Sequence, residues 1–257
     1  MCSAKIEMFN LQHILYMLIS GALTAVLIFV FVKHINTERG KVLVLKITAV
    51  LTVIVHYSNL LVEYLREGGE ATISSTHILP MYPCNVIMWL FLILAFIENK
   101  KGIVFRVLTE FCFIAGCVCM IVGIVFNFNF DSTPTLLDYD VLKGLLSHSV
   151  LLVGCIYLYF AGYVKLGIFN SVSLFFGFLT FVISGTVSNL LFKAFDISIV
   201  DGFYLIEVPG VGISSVILGF LLVLLIFGAW ALVELRLPAE ERWYSKIKDV
   251  IAKKDKE

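Results

Sequence analysis

The chain has 257 residues, of which 60% are hydrophobic and only 15% charged, with 19 basic residues against 19 acidic ones. Soluble domains carry roughly 25% charged residues, so this composition excludes an ordinary soluble enzyme. The zero net charge offers no electrostatic footprint for nucleic acid.

With a mean hydropathy of +0.98, the apolar residues fall into windows close to the ~20 residues that a transmembrane helix needs. About seven such segments are expected, at 11–33, 42–66, 79–97, 103–126, 141–162, 168–192 and 212–235. The expected fold is therefore all-α: one polytopic membrane domain over 1–257, ending in a short basic tail, 236–257. The first segment is too long for a signal-peptide core and lacks a small-residue cleavage site, so it reads as a retained helix. The second carries His56, Asn59 and Glu63 at i, i+3 and i+7, on one helical face. The third opens with Pro80, Pro83, Cys84 and Asn85. The fourth holds Arg106 and Glu110 at ion-pair spacing and ends at Asn127. The fifth carries His148 about two turns in, on the order of 10 Å along the axis. The sixth ends with Ser188 and Asn189 and places Ser173 and Gly177 at helix-packing spacing. In the tail, Trp243, Tyr244, Ile247, Val250 and Ile251 recur at helical spacing among lysines, the pattern of a helix lying on an anionic membrane surface.

Basic residues set orientation. Of the 19 lysines and arginines, Lys5, Arg66, Lys143 and Lys193 fall on the side of the N-terminus, and the other 15 on the opposite side. The N-terminus is expected outside and the C-terminus in the cytoplasm. That topology puts most of His56, Asn59, Glu63, Cys84, Asn85, Asn127, His148 and Asn189 at one depth, in the outer third of the membrane. Polar groups at membrane depth cost a few kcal/mol unless paired or hydrated. One such residue is ordinary interhelical glue, but a layer drawn from five helices suggests a site.

The chemistry available to that layer is nucleophilic. A thiol in lipid is inert unless a neighbour accepts its proton and steadies the thiolate. Cys84 and His148 both sit early in helices that start outside. Together they would form a thiol catalyst, with Cys84 attacking an ester and His148 serving as base and then acid. Asn85, Asn127 or Asn189 are candidates to bind the oxyanion, and His56 or Glu63 to orient the base. Cys112, Cys117, Cys119 and Cys155 lie inside apolar runs and read as packing residues. No spacing suggests a metal site, and no cofactor is expected.

At these residues the sequence resembles a known family. The stretch LPMYPCNV, followed about sixty residues later by LLSHSVLLVGCIYL, is similar to the YwaF family of bacterial integral membrane proteins. That family is related to the transmembrane-protein-164 acyltransferases of eukaryotes and, more distantly, to androgen-induced membrane hydrolases that use Thr and His. The resemblance implies intramembrane acyl transfer or ester hydrolysis on Cys84 and His148. It also implies a membrane phospholipid or another acyl ester as substrate, and residence in a bacterial cytoplasmic membrane. Two other readings stay open: a transporter and a non-catalytic scaffold. A repeat-built carrier shows matching Gly/Pro-broken segments, which are not found here, and the inner half of the membrane is nearly free of polar residues.

Overall fold

The computed structural model describes residues 9–66, 82–127, 133, 135–194, 205, 212–238 and 242. Every regular element among them is an α-helix: α1 (Leu11–His34), α2 (Glu38–Arg66), α3 (Pro83–Phe96), α4 (Ile103–Val125), α5 (Tyr139–Phe160), α6 (Phe169–Ala194) and α7 (Ser215–Arg236). All but α3 are long and apolar enough to cross a membrane, which makes the chain a polytopic helical membrane protein. The basic tail beyond Arg242, the acidic residues Asp196, Asp201 and Glu207, Pro80 and Lys5 lie outside the described residues.

The third helix is shorter than the 79–97 segment expected from hydropathy. It begins at Pro83, and Tyr82 before it is extended at φ −120°, ψ 153°. Steric conflict with a following proline ring pushes a residue out of the helical region, while proline itself suits the first helical position. The 14 residues of α3 span about 21 Å at 1.5 Å each, less than the ~30 Å hydrocarbon core. At its other end Lys100 Nζ donates to the Leu94 and Ala95 carbonyls at 3.1 and 3.2 Å, closing the last turn.

By its contacts the chain forms two compact units, Met1–Val164 and Lys165–Glu257. In the first, α5 is central, packed on α1, α2 and α4 and more lightly on α3. Glycines permit this. An ideal Cβ on Gly154 of α5 would lie 2.6 Å from Phe91 and 2.7 Å from Thr48, and one on Gly116 of α4 would lie 2.5 Å from Cys155 Sγ. With lipid outside as apolar as the core, close backbone approach is what drives such helices together. Cys112 and Cys155 are fully buried, filling that seam as small packing residues.

The polarity of α1 is inverted relative to a soluble helix. Its buried positions are His13, Ser20, Thr24 and Ile28, whereas Leu11, Leu18, Leu23 and Phe29 are exposed. The inner stripe bonds to its neighbours: Ser149 meets Tyr16 and Ser20, each at 2.8 Å, and His13 Nε2 donates to the Ile124 carbonyl at 2.7 Å. Tyr139 donates to Ser58 at 2.5 Å. These bonds bring the starts of α1 and α5 to the same end of the unit as the ends of α2 and α4.

In the second unit α6 packs on α7, with Phe178 against the bare backbone of Gly219. Ser173 and Gly177 are buried. Arg242 donates to the Leu235 and Leu237 carbonyls at 3.0 and 2.9 Å, satisfying acceptors that the end of α7 leaves open.

Candidate functional site

At the end of the first unit where α5 begins, four helices enclose a cavity of about 140 Å³. From α5, residues Lys143, Gly144, Ser147, His148 and Leu151 line it, a spacing that marks one helical face. Cys84, Asn85 and Met88 enter from α3, with Tyr82 just ahead of them; Thr52 and His56 come from α2 and Met120 from α4. Because α3 and α5 run the same way, residue number measures depth. Tyr82 and Lys143 stand at the mouth, the sulfur and the imidazoles in the middle, and Met88, Met120 and Leu151 deepest.

Each central side chain has a local cause for its position. Pro83 starts α3, so Cys84 falls in the first turn. There Pro83 has no N–H, the Asn85 and Val86 N–H groups bond to the Tyr82 carbonyl at 3.0 and 3.3 Å, and the positive end of the helix dipole favours negative charge. The Cys84 thiol donates to Asn85 Oδ1 at 3.5 Å. His148 is held by its own helix, Nδ1 lying 2.6 Å from the Gly144 carbonyl. A carbonyl only accepts, so Nδ1 carries the proton and Nε2 is left with a lone pair. Across the ring stands α4 at Gly123, where an ideal Cβ would sit 2.5 Å from both Nε2 and Cδ2.

Of the residues expected from sequence, Cys84, His148, His56 and Asn85 meet at this cavity. No hydrogen bond joins Cys84 to His148 among the described residues; the thiol's bond goes to Asn85. Asn59 and Glu63 bond to each other at 3.4 Å and do not line the cavity. Asn127 is buried at the end of α4, also away from the lining. Asn189 belongs to the second unit, as part of α6. Arg106 and Glu110 form the expected i, i+4 pair at 2.9 Å, with Glu110 buried. Among the described residues no cluster of His, Cys, Asp or Glu is arranged to hold a metal ion. Sequence reasoning missed Lys143 and Gly123. Lys143 counted only as a topological charge, although its place five residues before His148 on one helix was visible.

The sequence matches the TMEM164 family over residues 8–233. The chain belongs to the TMEM164 family. No curated protein and no solved structure matches it. The family match spans all seven described helices save the last three residues of α7, so this TMEM164-family chain carries LPMYPCNV and SHS inside its matched region.

Proposed function

We propose that the chain is an intramembrane thiol acyltransferase or lipid esterase, with Cys84 as nucleophile and His148 as general acid–base. The observation that carries this reading is one cavity that holds a thiol at a helix N-terminus and an imidazole whose Nε2 is unprotonated. His148 Nε2 takes the thiol proton as Cys84 Sγ attacks the ester carbonyl. The tetrahedral oxyanion collapses, the leaving alcohol takes the proton from His148, and a Cys84 thioester remains. A second alcohol, or water, then attacks the thioester with His148 again as base, which returns the thiol. The Asn85 amide, which lines the same cavity, supplies a side-chain donor for the oxyanion.

Size and placement suit an ester group rather than a whole lipid. A cavity on the order of 150 Å³ holds a benzene-sized group, so a long acyl chain must extend beyond it. The substrate is a phospholipid or another acyl ester of the surrounding membrane. With the orientation set by the basic residues, it enters from the outer leaflet of a bacterial cytoplasmic membrane.

The test is activity-based labelling in nanodiscs with an acyl-reactive electrophile, comparing the wild type with Cys84→Ala and His148→Ala. Labelling should vanish in the first variant and fall by about 10²-fold or more in the second, the usual worth of a general base. Equal labelling of all three folded proteins would overturn the proposal and leave a carrier or a scaffold.

A further inference from the structure

Lys143 is a cation placed where a membrane protein rarely keeps one. It lies one and a half turns before His148 on the same face of α5, lines the cavity beside Cys84, and makes no hydrogen bond or ion pair among the described residues. It is half-buried. Its ammonium interacts through space with Asp140 on α5, Glu63 on α2 and Cys84 on α3. Glu63 is itself fixed by Asn59. Among the described residues, the remaining groups around the thiol are His148 and His56 in the same cavity, with Tyr82 and Cys119 within electrostatic reach. Among these, Lys143 is the one ammonium.

Burial opposes a free thiolate, and a nearby ammonium offsets that cost. From this placement we infer that Lys143 is a positioning residue acting through Cys84: its charge stabilises the thiolate formed when the thiol proton moves to His148 Nε2. Lys143 keeps its own proton throughout, so no further acceptor is needed. The inference rests on the thiol chemistry proposed above and adds to it the source of the stabilising charge.

The experiment alkylates Cys84 in nanodiscs with neutral iodoacetamide and anionic iodoacetate, the modified peptide being quantified by mass spectrometry. A local cation speeds the anionic reagent relative to the neutral one, whereas a general loosening of structure changes both alike. Lys143→Met should lower the iodoacetate-to-iodoacetamide rate ratio by roughly tenfold and slow both reactions at neutral pH. Lys143→Arg should restore the ratio. A ratio unchanged in Lys143→Met overturns the inference. Acyl-probe labelling in the same samples separates the two claims. Lost acyl labelling in the wild type with an altered ratio in Lys143→Met would sink the acyl-transfer reading alone. Intact acyl labelling with an unaltered ratio would sink only the role of Lys143.

Discussion

Gly123 bears no side chain because His148 occupies the space one would need. An ideal Cβ there would lie 2.5 Å from Nε2 and Cδ2 of the ring and 3.1 Å from Cε1, well inside van der Waals contact. The ring cannot swing away freely, since Nδ1 is tied to the Gly144 carbonyl. Gly123→Ala should therefore break that bond or push α4 from α5, at about 1–3 kcal/mol for overpacking. A displacement near 1 Å at a catalytic base costs on the order of 10²-fold in rate. Acyl-probe labelling of Cys84 should fall by that order while iodoacetamide still reaches the thiol; unchanged acyl labelling would show that the ring does not need this seat. Cys84 and His148 were legible in the sequence because chemistry singles them out in apolar runs. Gly123 was not, because a glycine within a membrane helix has many uses and only its contact across to α5 reveals this one.

At the scale of elements, length and apolarity located six of the seven helices to within a few residues, since a helix in lipid must satisfy its own backbone over the whole crossing. α3 departed because two local rules outweighed hydropathy: the extended preference before Pro83 and the fit of proline to a helix start. Which helix touches which was not legible, as all present similar apolar faces. The end opposite the cavity shows how such contacts are pinned. Tyr163, just past α5, donates to Glu38 at the start of α2 at 2.5 Å, and Lys41 donates to the Ala161 carbonyl at 2.8 Å. Burial, then the hydrogen bond to Glu38 and its charge, push the Tyr163 phenol well above its ordinary value. An unfolded tyrosine ionises near pH 10. The folded protein thus keeps this proton where the unfolded chain loses it, so the stabilisation is complete below about pH 10 and is lost as pH rises beyond it. Tyr163→Phe should lower the melting temperature of the detergent-solubilised protein at pH 8. It should also flatten the decline above pH 10 that the wild type shows. Parallel alkaline declines in the two proteins would refute this assignment.

For the whole molecule, the positive-inside count and the position of the cavity make one joint prediction. By the topology expected from the sequence, fifteen of the 19 basic residues are assigned to the side opposite the N-terminus, and the cavity lies at the end of the first unit where α1 and α5 begin. If basic residues stay in the cytoplasm, the mouth at Tyr82 and Lys143 faces outwards, and the acyl ester proposed as substrate would come from the outer leaflet. A membrane-impermeant thiol reagent applied to intact cells should then modify Cys84 in a Cys2→Ser background, and Lys143 should favour an anionic sulfonate reagent. A reporter fused after Glu257 should be active only as a cytoplasmic fusion. The two readouts are independent, because one follows the loops and the other follows the cavity. Modification of Cys84 only in inverted vesicles, with the reporter still cytoplasmic, would mean that the mouth opens inward despite the charge bias. The substrate would then have to come from the inner leaflet. Both readouts reversed together would mean that the four basic residues assigned to the side of the N-terminus outweigh the other fifteen, against the translocation cost that sets the rule.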